Sequence, residues 1–325
     1  MRREAGFILF GDGIHQYSWR GVKLFMLTYF GAFVAAGILA PFIYLWIQGM
    51  DTPIDPESLI AYLQSKPVSK YVDRVRLLFA AGAVLWMIGA CGLWGRFGYK
   101  WNEGSLRSLG WFIVIGAVSL GFVVAMQSFL LDPVLTEQTG ASRFLKVVFG
   151  ALLSGLIIGW LEEAIFRGMV LRMFYTATKP LTAVILSALI FAAVHFKSVP
   201  DSVGEPFHWY SGILVAGYQS VSVFLTVEAI DFCNLFLAGV VLNLIFLRTG
   251  SLIGCMGVHA GWVLIRNTWS KLVDIPDGPA TRILGTESIV DGYAALMILV
   301  ILSVGLYVEL RKYQRAGQVG LSQLT

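Results

Sequence analysis

Glu162, Glu163, Arg167, His195 and His259 are the side chains whose types and spacing could do chemistry in a sequence otherwise short of ionisable groups. The first three follow directly on an apolar run, in Gly159-Trp160-Leu161-Glu162-Glu163-Ala164-Ile165-Phe166-Arg167-Gly168. His195 closes a second run, and His259 lies in the middle of a third, in Gly257-Val258-His259-Ala260-Gly261-Trp262. On a helix Glu163 and Arg167 are four apart and can form an exposed or half-buried ion pair, whereas Glu162, rotated by about 100°, is left without that partner. A carboxylate held at the hydrocarbon edge is stripped of water and becomes a more competent base. Two imidazoles on neighbouring helices would add a second proton-transfer group and a donor for a developing oxyanion. Glu162, His195 and His259 together could therefore activate water for hydrolysis of a peptide bond. Each also has a plainer reading: an interfacial charge cluster for the Glu-Glu-Arg set, an interfacial cap for His195, a hydrogen-bonded helix contact for His259. Three separate helices each placing a polar group at one depth, where ionisable groups are costly, favours the chemical reading. Glu228 and Asp231 read as loop acids, and His15 and His208 lie in polar segments.

The elements that must carry these groups are membrane helices. Of 325 residues, 57% are hydrophobic and 14% charged, and the mean hydropathy is +0.74, outside the range of a soluble globular domain. A helix needs roughly 20 apolar residues to cross a hydrocarbon core of about 30 Å, and about eight such runs are present. They fall near 22–47, 77–93, 111–131, 147–161, 181–195, 235–247, 252–265 and 294–308. Too little is left for a secreted enzyme, a nucleotide-binding fold with its own sheet or a disordered scaffold, and a transmembrane barrel would show short alternating segments instead. The expected fold is an all-α, polytopic membrane bundle of about eight transmembrane helices, a single domain over 1–325 without repeat or linker. The fourth to seventh runs are short, so polar helix ends should extend them or other helices surround them.

Basic residues of alternate loops, among them Arg2, Arg3, Arg96, Lys100, Arg107, Arg172, Lys179, Arg311 and Lys312, favour both termini on the cytoplasmic side of a multi-pass protein of the bacterial inner-membrane type. The end of the fourth run then faces the cytoplasm. A net charge of +4 is ordinary for such loops and does not suggest nucleic acid. Cys91, Cys233 and Cys255 lack the CxxC spacing of a metal or redox site and read as packing residues. The first run is too long for a signal-peptide core and is expected to stay as a span. Gly155 with Gly159, and Gly250, Gly254, Gly257 and Gly261, have the four-residue spacing that lets helix backbones approach.

On these residues the sequence resembles the CAAX protease and bacteriocin-processing family of intramembrane proteases, which includes the type II CAAX prenyl endopeptidases. Its Glu-Glu-xxx-Arg motif is matched by Glu162, Glu163 and Arg167, with the frequent Phe-Arg-Gly ending at Phe166, Arg167 and Gly168. Phe191 and His195 match Phe-xxx-His. Arg248-Thr249-Gly250-Ser251-Leu252 matches the segment before the third motif, His-xxx-Asn, in which His259 is present and Val263 stands where the family has asparagine.

The resemblance covers a core at 147–267 and implies a glutamate-type intramembrane endopeptidase. In it Glu162 is the general base with His195 as partner, and His259 stabilises the oxyanion. Glu163 and Arg167 orient the first motif, and Phe191 packs against the His195 imidazole beside the substrate. It further implies a membrane-associated protein or peptide substrate, the lipid bilayer as surroundings, and neither cofactor nor metal. Losing one oxyanion donor costs on the order of 100-fold in rate. Asn267 lies about 6 Å further along the helix than Val263 and cannot take over, which leaves Asn243 and the Trp262 indole as replacements. Three other readings use the same groups. Val263 favours a non-catalytic scaffold or immunity-type protein keeping the fold. A zinc protease would use Glu162, His195 and His259 as ligands, without a His-Glu-xx-His motif. An ion-coupled transporter would be expected to show an inverted repeat, which is not visible.

Overall fold

In hydrocarbon every backbone N–H and C=O must be satisfied within the protein, which for apolar runs of this length leaves the helix. The computed structural model describes residues 19–51, 58–91, 102–136, 140–196, 199–200, 202–226, 228–276 and 278–315, and these are predominantly helical. Arg2, Arg3, His15, Arg96 and Lys100 lie outside the described residues. In chain order the elements are α1 (Trp19–Gln48), α2 (Leu59–Gln64), α3 (Val68–Cys91), α4 (Ser105–Leu130), β1 (Val134–Leu135), α5 (Ala141–Ile165), a π-helical segment (Phe166–Leu171), α6 (Arg172–Ala177), α7 (Pro180–Ala193), α8 (Ser211–Thr226), α9 (Ala229–Thr249), α10 (Leu252–Leu272), β2 (Val273–Asp274), α11 (Thr281–Leu284) and α12 (Tyr293–Arg315).

The chain is an all-helical, multi-pass membrane protein. Among the described residues five helices are long and apolar enough to cross a membrane, Leu27–Gln48, Ser105–Leu130, Ala141–Tyr175, Ala229–Thr249 and Tyr293–Lys312, with Pro180–Ala193 as a shorter apolar helix. The other expected spans are present as helices too, but α3 opens on Lys70, Asp73, Arg74 and Arg76, and α10 carries His259, Arg266 and Lys271. Two differences from the sequence reading follow from helix ends. α9 starts earlier than its apolar run, so Asp231 lies in its first turn, where a carboxylate complements the helix dipole, rather than in a loop. α8 occupies a stretch where no span was expected, because Gly212, Gly217, Gln219, Ser220 and Ser222 interrupt its apolar residues.

The described chain divides into two compact units. One, within Trp19–Ala90 and Ala193–Val227, holds α1, α2, α3 and α8. Its core is Phe33, Ala36, Ala40, Val72, Val75 and Val215. α1 and α8 cross at Gly37 and Gly212, where a Cβ on Gly37 would stand 3.0 Å from the Gly212 carbonyl oxygen.

The other unit, formed by the described residues of Cys91–Ala192 and Glu228–Thr325, is built around α10. Along α4 and α10 residue numbers rise together, Phe112 meeting Gly257 and Ala117 meeting Gly261, so the two are parallel. Against α5 they run in opposition, Gly155 meeting Ala260 and Gly159 meeting Met256. This register brings the C-terminal end of α5, with Glu162 and Glu163, to the half of α10 that carries His259. The preceding turn is the Arg-Thr-Gly-Ser-Leu segment. Gly250 adopts φ +64° at the end of α9, which a glycine does without strain, and its N–H donates to the Phe246 carbonyl (2.8 Å). Ser251 then caps α10, its Oγ accepting from the Ile253 N–H at 3.2 Å. Gly250 is thus a turn residue, not a packing one.

Far from this turn, buried Gln127 joins three segments. Its Nε2 donates to the carbonyls of Leu284, Gly285 and Thr286 (2.9 to 3.0 Å), and its Oε1 accepts from Trp269 Nε1 at 2.8 Å. Gln127→Leu keeps the volume but strips these partners. Leaving a buried polar group unsatisfied costs about 1–3 kcal/mol, so the variant is expected to show a lower Tm in detergent micelles.

Candidate active site

At the end of α5 the α-helical pattern gives way for one turn to the wider π-helix, whose six residues, Phe166 to Leu171, are all buried. Such turns commonly mark functional positions. Arg167 lies in it and Glu163 one turn before, with Arg167 Nη1 donating to Glu163 Oε1 at 3.0 Å. The sequence reading had this pair exposed or half-buried; both side chains are in fact 0% exposed. What makes the burial tolerable is an acceptor for each of the three guanidinium nitrogens. Arg167 Nε donates to Asn243 Oδ1 and Nη2 to the Gly239 carbonyl, both at 3.2 Å, and the guanidinium carbon lies 4.6 Å from the centre of the Phe191 ring.

The same Glu163 oxygen meets His259 Nδ1 at 2.9 Å. A carboxylate paired with arginine is acceptor-only, so Nδ1 carries the proton and donates. The other ring nitrogen, Nε2, faces Glu162 Oε2 at 3.9 Å, too long for a direct hydrogen bond. The adjacent glutamates are therefore separated in environment: the Glu163 side chain is sealed, while that of Glu162 is 24% exposed. Gly159, one turn before Glu163, lies where the two helices approach closely, since a Cβ there would stand 3.3 Å from the Met256 carbonyl oxygen.

Glu162, Glu163, Arg167 and His259 thus come together within one unit. Phe191 belongs to the same cluster, its ring edge-on to Phe166 with centroids 5.0 Å apart and 6.4 Å from the His259 ring. His195 follows the end of α7 in a turn and belongs to the other compact unit. Among the described residues no group of three or more His, Cys, Asp or Glu side chains is arranged to hold a metal ion.

Both replacements for the missing asparagine are engaged elsewhere. Asn243 is fully buried with Oδ1 on Arg167 and Nδ2 donating to the Val184 carbonyl at 3.0 Å. Trp262 Nε1 donates to Ser119 Oγ at 2.9 Å. Val263 packs where α10 crosses α5, its Cβ 3.2 Å from the position a Cβ would take on Gly155. The anchoring of Arg167 by Asn243 and Gly239 was missed in the sequence, although the signal was there. An asparagine in mid-span needs partners, and Gly239 lies one turn away on the same face.

Residues 144–265 match the family model described as Type II CAAX prenyl endopeptidase Rce1-like. No curated protein and no solved structure matches the chain. The matched segment runs from the first turn of α5 into α10 and contains every residue named above as a candidate for chemistry.

Proposed function

We infer from the match of residues 144–265 to the CAAX endopeptidase family model that this membrane protein is a glutamate-type endopeptidase acting on a membrane-associated protein or peptide. The observation that carries the reading is the sharing of one Glu163 oxygen between Arg167 and His259, which turns the free edge of the imidazole toward Glu162.

In this reading Glu162 removes a proton from water as the water oxygen attacks the scissile carbonyl carbon. General base catalysis of this kind supplies about 10²–10⁴-fold. His259, protonated on both nitrogens, donates Nδ1–H to Glu163 and Nε2–H to the oxyanion, and loss of such a donor costs about 10²–10³-fold. The tetrahedral intermediate then collapses, the C–N bond breaks and the proton on Glu162 passes to the leaving amine. Arg167 balances the Glu163 charge, so that Glu163 stays an acceptor in the bundle interior. The basic residues Arg107, Arg172 and Lys179, on loops or helix ends near the same end of α5, support a site at the cytoplasmic face.

The test is a comparison of membrane-protein fragments, by terminus-resolved mass spectrometry, in cells making the wild type or Glu162→Gln at matched levels. Fragments present with the wild type and absent with the variant are expected, and they name substrate and cut site together. If no fragment depends on Glu162 while both proteins are folded and abundant, the protease reading fails and the chain is a protein that keeps the fold without the activity.

A further inference from the structure

Asn243 stands alone as a polar residue in the buried middle of α9, between Leu242 and Leu244, and none of its surface is exposed. Both ends of its amide are committed, Oδ1 to Arg167 Nε and Nδ2 to the Val184 carbonyl of α7. A backbone amide bond already occupies helix carbonyls, but each has a second lone pair for such a donor. Asn243 is therefore fixed from one side and offers its oxygen in a set direction on the other.

The direction matters because guanidinium is a flat fork with a choice of edges. Here its three nitrogens point to three different partners: Nη1 to Glu163 Oε1, Nη2 to the Gly239 carbonyl, Nε to Asn243. Arginine ordinarily prefers a carboxylate two-on-two, with both oxygens engaged. That preference is frustrated in this site. Only Oε1 of Glu163 meets Arg167, and the buried Oε2 has no hydrogen-bond partner among the described residues. Oε1 is also the oxygen that receives His259 Nδ1.

We propose that Asn243 is a positioning residue for His259: by holding Arg167 Nε it prevents the guanidinium from closing two-on-two on Glu163, and so keeps Glu163 Oε1 directed at the imidazole. Without the Asn243 oxygen, Nε becomes a buried donor with no acceptor. The nearest remedy is rotation of the fork so that the edge formed by Nε and Nη2 takes both carboxylate oxygens. That rotation turns Oε1 away from His259, frees Nδ1 and lets the ring and its proton reorient. The inference rests on the reading of Glu163 and His259 as parts of one active site, but its consequence is visible in the imidazole without any substrate.

The experiment is ¹⁵N NMR of histidine-labelled protein in detergent micelles. The chain has 4 histidines, and His259→Gln assigns the resonances of interest. In Asn243→Leu, which keeps the volume and removes both hydrogen bonds, the His259 ring nitrogens are expected to leave the pattern of an imidazole donating from Nδ1 to a carboxylate. In Asn243→Asp, which keeps an acceptor for Arg167 Nε, that pattern is expected to persist. Fragments dependent on Glu162 should fall on the order of 100-fold in the first, as expected for a misplacement of about 1 Å, and recover in the second. Unchanged His259 resonances in folded Asn243→Leu overturn the proposal, as does loss of the pattern in folded Asn243→Asp. Should Asn243→Leu fail to fold, Asn243→Ala is read in its place. Absence of any Glu162-dependent fragment strikes at the protease reading and leaves the NMR outcome to decide the role of Asn243.

Discussion

Arg167→Ala will leave a protein with little of its native stability. The substitution leaves the sealed Glu163 carboxylate to His259 and removes the Nε and Nη2 donors that Asn243 Oδ1 and the Gly239 carbonyl accept from. Breaking a buried pair by removing one partner costs about 3–5 kcal/mol, because the other charge stays buried without compensation. Against a typical total of about 5–15 kcal/mol this is a large fraction. Arg167→Lys is expected to recover part of it, since an ammonium reaches Glu163 but cannot serve three acceptors in a plane. The double variant Glu163→Leu with Arg167→Met should be more stable than Arg167→Ala, since it removes both charges and keeps the volume. It should nonetheless yield no Glu162-dependent fragments, because His259 loses the group that orients it. Thermal unfolding in micelles measures the first expectation and the fragment comparison the second. A double variant no more stable than Arg167→Ala would show that the site is held by packing rather than by charge compensation.

The second large effect is expected from a single methyl group. Gly261 lets α10 lie against the backbone of α4: a Cβ there would run into the Ile113 carbonyl oxygen and stand 2.7 Å from the Ala117 nitrogen. Both obstacles are main chain, so no side chain can rotate out of the way. Gly261→Ala must push the helices apart, at about 1–3 kcal/mol for overpacking. His259 is two residues earlier on α10, so the shift is transmitted to the site, and activity should fall on the order of 100-fold for a displacement of about 1 Å. Gly121→Ala on α4 is the control, because nothing lies within 4 Å of its Cβ position. It gains helix propensity of up to about 1 kcal/mol and should be neutral or stabilising. Equal losses from Gly261→Ala and Gly121→Ala would dissociate the close crossing from function.

Much of this site was legible in one dimension. The hydrocarbon core selects long apolar helices, so composition alone determined the all-helical membrane fold. The helical period put Glu163 and Arg167 on one face, and the high cost of ionisable groups at membrane depth singled out Glu162 and His259. Gly250 and Ser251 likewise carry their turn in their own conformational preferences. What the sequence left open is how far each helix slides and turns against another. Glu163 and His259 are 96 residues apart, and their contact depends on the antiparallel register of α5 on α10 at Gly155 and Gly159. That register decided that Glu163, and not Glu162, holds the imidazole, and that the ion pair is sealed instead of half-exposed. It also placed Val263 at a helix crossing and committed the Asn243 amide to Arg167 and Val184. Spacing along a chain sets the angle between side chains on one helix; only tertiary packing sets which of those angles faces a partner.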